Sequence, residues 1–305
     1  MKSFHERFED KELKDTTLAV IRQARTIIEE YQAQGFTLTL RQLFYQFVSR
    51  DLIANNHAEY KRLGRIIVDA RRGGYIGWNS IEDRTRNLLS LPTWDDPADA
   101  VRDAAEAYRE DVWAMQPHRP EVWIEKDALL GVIEGVCNEF RVPYFSCRGN
   151  VSDSEMYVAA KRYDAAVNQG QAPLILHLGD HDPSGLDMTR DIHERLWTFS
   201  NQRYRAAIDV RRLALNIDQT AGLPPNTAKE SDGRYAAYAK QYGDTSWELD
   251  ALDPVFIANL IRTELDALID PQAWADALAA EEANRQVLVK ASANWSLVEQ
   301  VLDEQ

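Results

Sequence analysis

The sequence predicts an α/β protein in two parts, a helical N-terminal unit and a larger unit built on a parallel sheet. Three observations predict it. From residue 121 onward, short apolar runs alternate with helix-length amphipathic stretches, the pattern of parallel strands joined by crossover helices. One of those runs, Leu174-Ile175-Leu176, is uninterrupted, as a strand covered on both faces requires. Before residue 116 the apolar residues recur at helical spacing instead. Prolines and a composition shift near Gln116 to Pro120 mark a boundary, giving units of 1–116 and 117–305.

In the first unit Val20, Ala24, Ile27, Ile28 and Tyr31 share one face of a helix within 10–34, which Gly35 stops. A short helix opens near Thr39, with Leu40, Leu43, Phe44, Phe47 and Val48 inward. A third covers about 58–72, with Tyr60, Leu63, Ile67 and Ala70 inward and Lys61, Arg65 and Arg72 outward. Gly73-Gly74 ends it, and YIGWNSI reads as a short strand or wing. Helix, turn, helix and basic wing together make a winged helix-turn-helix. The acidic stretch TWDDPADAVRDAAEAYREDVW reads as a helix from Asp96 to Trp113 that leads into the second unit. There the order is strand VWIE, helix 127–140, strand VPYFSC, helix 152–168, strand PLILHLG, helix 185–199 and a strand near 207–215. A Pro/Asn-rich loop, GLPPNTAKESD, follows. Helices at 253–269 and 271–292 complete the chain.

Apolar residues make up 45% and charged residues 28% of the 305, an ordinary balance for a soluble globular protein. No run approaches the roughly 20 apolar residues that span a bilayer, and the charged start MKSFHERFEDKELKD lacks a secretory core. Cys137 and Cys147 have no zinc or disulfide spacing and read as reduced core thiols, so a cytoplasmic protein without membrane attachment is expected. A net charge of −14 speaks against a nucleic-acid partner, but the charge is uneven. Residues 36–86 hold nine Lys or Arg and five acids, net +4, whereas residues 190–305 hold 12 and 19, net −7. Lys61, Arg62, Arg65, Arg71, Arg72, Arg84 and Arg86 form the expected DNA-facing surface; the plainer alternative is a set of solvated helix faces.

Chemistry concentrates in LILHLGDHDPSG, residues 174–185. Read on a strand, Asp180 and Asp182 point the same way and offer two carboxylates to a hard cation. Glu125 closes the VWIE strand; if that strand is a neighbour, three carboxylates converge at one sheet edge, a donor set suited to Mg²⁺. The alternative is that Asp180 and Asp182 shape a turn before Pro183 and cap the next helix. Tyr45 lies roughly 130° from the apolar face of its helix, and Arg41 sits one turn earlier, so phenol and guanidinium share a surface. That pairing suits a tyrosine nucleophile attacking phosphorus; an exposed tyrosine beside an ordinary arginine is the alternative. His177 and His181 read as structural. Arg148, Gly149 and Asn150 offer a turn that could approach phosphate, and Trp247 to Leu252 reads as a solvated helix start.

VWIEKDAL followed by HLGDHDPSGLDM resembles a Toprim domain, and TLRQLFYQ resembles the Arg-x-x-aromatic-Tyr motif of the topoisomerase VI A subunit and the meiotic double-strand-break proteins. D-x-D-P-x-G at Asp180 to Gly185 and the late acidic SWELDAL resemble further motifs of that family, in the same order over most of residues 36–260. The resemblance implies a winged-helix (CAP-like) domain followed by a Toprim Rossmann-like parallel sheet with C-terminal helices. It further implies a DNA-cleaving transesterase with Tyr45 as nucleophile, Arg41 supporting the phosphorus charge, and Glu125, Asp180 and Asp182 holding Mg²⁺. The partners it implies are double-stranded DNA, a second copy whose metal site meets the first copy's tyrosine, and a separate GHKL ATPase B-like subunit, since the sequence contains no ATPase module. The chain is shorter than topoisomerase VI A, and Phe44 stands where the family commonly has a first tyrosine. Two alternatives stay open: a Toprim hydrolytic nuclease or inactive DNA-binding relative, and a haloacid-dehalogenase-like phosphatase. The latter ordinarily has Thr or Val where Ser184 stands.

Overall fold

The computed structural model describes residues 6–10, 12–82, 91–202 and 204–303. In the N-terminal unit, helix α1 (Asp15–Gln32) buries Ile21, Ala24, Ile27, Ile28 and Tyr31 and ends before Gly35, whose φ of +84° suits glycine. Strand β1 (Leu38–Thr39) runs straight into α2 (Leu40–Ser49). Thr39 and Gln42 form a reciprocal capping box there, which fixes where the helix begins. Helix α3 (His57–Arg72), capped by Asn56, packs Leu63, Ile67 and Ala70 against α1 and α2. Strand β2 (Ile81–Glu82) pairs with β1 in parallel. Of YIGWNSI, read as a short strand or wing, Trp78–Ser80 form a 3-10 turn and only the final Ile81 lies in a strand, which returns beside β1.

Helix α4 (Pro97–Ala107), capped by Asp96, stops six residues short of the predicted Trp113. The backbone turns extended at Tyr108 because Trp113 leaves the helix line to become core, 1% exposed, its indole N–H donating to the Phe140 carbonyl at 2.7 Å. The second unit then alternates as predicted. Strand β3 (His118–Ile124) leads to α5 (Leu130–Glu139), β4 (Tyr144–Ser146) to α6 (Asp153–Asn168), β5 (Ala172–Leu178) to α7 (Pro183–Phe199), and β6 (Asp209–Ala214) follows. All neighbours are parallel, in the order β4-β3-β5-β6.

Alternation along these strands sorts their side chains between two layers. Val122, Ile124, Leu174, Leu176 and Leu178 face α5 and the later helix α9 (Pro254–Asp266), while Trp123 and Ile175 face α6 and α7. Three elements between β6 and α9 escape the sequence reading: the two-residue strands β7 (Asn226–Thr227) and β8 (Thr245–Ser246), which pair antiparallel, and α8 (Tyr235–Tyr242) between them. Helix α10 (Pro271–Ala293) packs back on α4, and α11 (Trp295–Asp303) follows it.

The boundary near 116 is crossed by real packing. Ala251 joins the apolar cluster of the N-terminal helices, and the Tyr31 hydroxyl donates to Asp253 Oδ2 at 2.6 Å. That crossing is what builds the site.

Candidate active site

Strand order reverses between β3 and β5, since β3 connects outward to β4 on one side while β5 lies on the other. Such a switch point opens a crevice beyond the strands' carboxyl ends. Glu125 and Asp180 sit there: Ile124 pairs with Leu178, and the Asp180 N–H donates to Glu125 Oε2 at 2.7 Å. The strand argument for Asp180 and Asp182 needs correction, because β5 ends at Leu178 and both aspartates lie in the turn beyond it. Asp182 is the N-cap of α7, its Oδ1 accepting from the Gly185 N–H at 2.6 Å. Gly185 has no alternative, as an added Cβ would strike the Asp180 carbonyl. Beneath the turn, the Arg212 guanidinium donates to the carbonyls of Gly179, Asp180, Gly185 and Leu215 and to the Thr189 hydroxyl. Burial pushes Arg212 down to about 10, opposed by the charges of Glu125, Asp180 and Asp182.

The segment 245–251 is drawn onto this turn. His181 and Trp247 exchange two backbone hydrogen bonds, and the Leu249 N–H donates to Asp180 Oδ1 at 2.8 Å. A helix does start here, a 3-10 turn (Leu249–Ala251) capped at Glu248, but it is not solvated: Asp250 is buried to 1% exposure. Lys126, next to Glu125, places its ammonium 2.9 Å from Asp180 Oδ1, 3.0 Å from Glu248 Oε2 and 3.0 Å from Asp250 Oδ2. From the other unit Arg41 donates to Asp250 Oδ2 at 2.7 Å and also bonds Glu248 Oε2. Burial raises the Glu248 carboxyl, but Lys126 and then Arg41 outweigh it and bring it down to about 2. Burial likewise opposes the Lys126 and Arg41 charges, and Asp250 leads the carboxylates that overcome it. Sequence reasoning missed Lys126 and Arg212. The adjacency of Lys126 to Glu125 was the one available signal for the first.

Tyr45 is 5% exposed, so its placement on a surface also needs correction. The helix wheel was sound for α2 against α1 and α3, but residues 249–251 cover the opposite face and bury the helix all round. Its ring packs edge-on to Phe44 and lies 5.7 Å from the Arg41 guanidinium carbon. A cleft of about 320 Å³ reaches it, lined also by Arg41, His57, Tyr60, Asn226 and Glu248. Burial, then the charge of Glu248, push the Tyr45 phenol well above the ordinary tyrosine value, with Arg41 pulling the other way.

For a cation, the chemistry of the donors fits while their spacing is loose. Among the described residues, no three Asp, Glu, His or Cys side chains stand close enough to hold a metal ion together. Yet burial, then the charge of Asp180, push Glu125 up to about 7, so these carboxylates crowd one another without sufficient counter-charge. Mg²⁺ is commonly held by one or two carboxylates together with phosphate oxygens, which Glu125 and Asp180 can supply and accommodate. His177 and His181 are structural as read: Nδ1 of the first meets the Thr189 hydroxyl and Nδ1 of the second the Tyr238 hydroxyl.

The residues of the expected basic surface differ in placement. Lys61, Arg62 and Arg65 lie on the exposed face of α3, with Arg62 paired to Glu59. Arg71 turns inward instead, donating to the Trp78 and Ile81 carbonyls with its guanidinium over the Trp78 ring, because the chain after α3 folds back across it. Arg72 bonds Glu9 of the N-terminal segment. Arg84 and Arg86 lie outside the described residues. No helix among the described residues is long and apolar enough to cross a membrane.

Compared with known protein families and with curated proteins, the chain matches none.

Proposed function

We propose that the chain is a DNA-cleaving transesterase of the kind its motifs resemble, a topoisomerase VI A-like protein acting in the cytoplasm. In this reading the first unit is a winged-helix domain and the second a Toprim domain. The observation that carries it is that the tyrosine and arginine of α2 meet the acids of 245–251, which Lys126 ties to Asp180 at the sheet edge: Arg41 and Lys126 share Glu248 and Asp250, and Lys126 also bonds Asp180. Tyr45 opens onto the same cleft as Glu248.

The phenolic oxygen of Tyr45 attacks a backbone phosphorus, the bond from phosphorus to the 3′ oxygen breaks, and a 5′-phosphotyrosyl bond forms. The phenol's proton leaves to solvent, and the 3′ oxygen takes one up. Attack by that 3′-hydroxyl reverses the reaction and reseals the strand. Arg41 lies against the tyrosine ring, where its charge favours both the phenolate and the crowded phosphorus. Magnesium, when held by Glu125 and Asp180 with Asp182 beside them, supplies charge to the phosphate oxygens. Lys61, Arg62 and Arg65 would hold the duplex by its phosphates. Two copies would cut two strands, the tyrosine of each meeting the metal site of the other, and a GHKL ATPase subunit would be needed for ATP-driven strand passage.

A second reading is favoured by one observation: the Arg41 charge that would favour a Tyr45 phenolate is already engaged by Glu248 and Asp250. It makes the chain a hydrolytic Toprim nuclease or a non-cleaving DNA-binding relative. Incubation with supercoiled plasmid and Mg²⁺, quenched in denaturant, separates the readings. Protein attached to DNA 5′ ends, lost in Tyr45→Phe and in Asp180→Ala, supports the transesterase. Nicking without attachment that survives Tyr45→Phe supports the nuclease.

A further inference from the structure

Three carboxylates from two segments surround the Lys126 ammonium at 2.9–3.0 Å, and its side chain is only 20% exposed. One of them, Asp250, has a fully buried side chain whose Oδ1 has no hydrogen-bond partner. A buried carboxylate oxygen without a donor is costly, and it marks a position shaped for more positive charge than is there. With all ionised, the five carboxylates around the turn (Glu125, Asp180, Asp182, Glu248, Asp250) exceed the three cations (Arg41, Lys126, Arg212) by two negative charges. One divalent ion balances that excess; two would overshoot it.

We propose that Lys126 is a tethered cation that takes the place of a second divalent ion among Asp180, Glu248 and Asp250, so that the site takes one divalent ion per chain. The inference rests on reading this cluster as a phosphoryl-transfer site. An ammonium donates to oxygens at about 2.9 Å, whereas Mg²⁺ draws them to about 2.1 Å. That difference spaces the three carboxylates more widely than a Mg²⁺ cage would. Because Lys126 follows Glu125 directly, the built-in charge cannot dissociate, and it holds Asp180 for the single ion on the Glu125 side. The same ammonium ties the acids of 245–251, and through them Arg41 of α2, to the sheet edge.

Mn²⁺ binding measured by equilibrium dialysis on the full chain, without DNA, tests this. Lys126→Met is expected to bind one more Mn²⁺ per chain than wild type, and Lys126→Met with Asp250→Asn is expected to lose that ion again. Thermal unfolding run alongside should show Mn²⁺ raising the midpoint of Lys126→Met more than that of wild type. If the variant folds only with the ion, its Mn²⁺-dependent recovery of folded signal reads the same site. Two ions on wild type, or equal counts on wild type and Lys126→Met without a Mn²⁺-dependent gain in stability, would overturn the proposal. No ion on wild type, whatever Lys126→Met binds, would overturn the one-ion stoichiometry and would also remove the Glu125–Asp180 ion from the proposed function.

Discussion

Two glutamates four residues apart, one on β3 and one just past its end, show how differently this molecule treats buried charge. Glu121 is 7% exposed and fully matched: the Arg162 guanidinium donates to both its oxygens, at 3.1 and 3.0 Å, and the Trp123 indole donates to Oε2 at 2.9 Å. One negative charge meets one positive charge. Glu125, just past the strand's end, accepts from a backbone N–H and faces Asp180 and Asp182, and it is pushed up to about 7. The first arrangement is complete as it stands; the second is short of cation. Balanced pairs hold folds together, while an imbalance at a strand-order switch point is where a ligand is expected.

The comparison can be broken at either end. The largest effect is expected at the unbalanced end: Tyr45→Phe should abolish covalent attachment to DNA while lowering stability by no more than about 1 kcal/mol, since only a hydroxyl is lost. Gel analysis and thermal unfolding of the same preparations check both halves. Next, Glu121→Ala should destabilise the chain by about 1–3 kcal/mol in denaturant titration and leave Mn²⁺ binding unchanged. The figure falls below the usual cost of breaking a buried pair because the Arg162 side chain is half exposed.

A smaller effect concerns pH. His177 has no exposed surface, and burial followed by the Arg212 charge brings it down to about 3. Its folded-state value lies below the unfolded one, so the neutral ring stabilises the fold above about pH 6.5, and this contribution is lost as pH falls toward 3. The loss approaches about 1.4 kcal/mol per pH unit. Glu125, raised to about 7, gives the opposite slope between about 4.5 and 7. Unfolding free energies in chelator, compared between wild type and His177→Gln, should therefore show less acid destabilisation in the variant from pH 6.5 to 5. Equal slopes would contradict the assignment of His177. The smallest effect is expected on the surface: Lys61→Ala with Arg65→Ala should weaken DNA binding uniformly across sequences and flatten its salt dependence by about two units of slope.

Local signals in the sequence were read well where local physics decides. Thr39 announces the start of α2, Gly35 the end of α1, and the uninterrupted run at 174–176 the doubly covered strand β5. The reading failed where distant segments meet. Tyr45 looked exposed because nothing in α2 reveals that residues 249–251 cover its far face. Glu248 and Asp250 looked solvated because the pairing of Trp247 with His181 joins residues far apart in the chain. Trp113 ended α4 early through a contact with Phe140 that no helical period encodes. Of the site, the carboxylates were legible as a motif. The cations that answer them, Lys126 and Arg212, were not, because a lone basic residue carries no pattern.

The central claim is that Tyr45 is the group that joins DNA. Its most direct test is mass spectrometry of protein trapped on plasmid in Mg²⁺, after nuclease and protease digestion. The account predicts a peptide spanning residues 42–50 that carries a nucleotide through phosphorus on Tyr45, absent when Asp180→Ala replaces wild type. A nucleotide on another residue, or nicked plasmid with every tyrosine peptide unmodified, would contradict it.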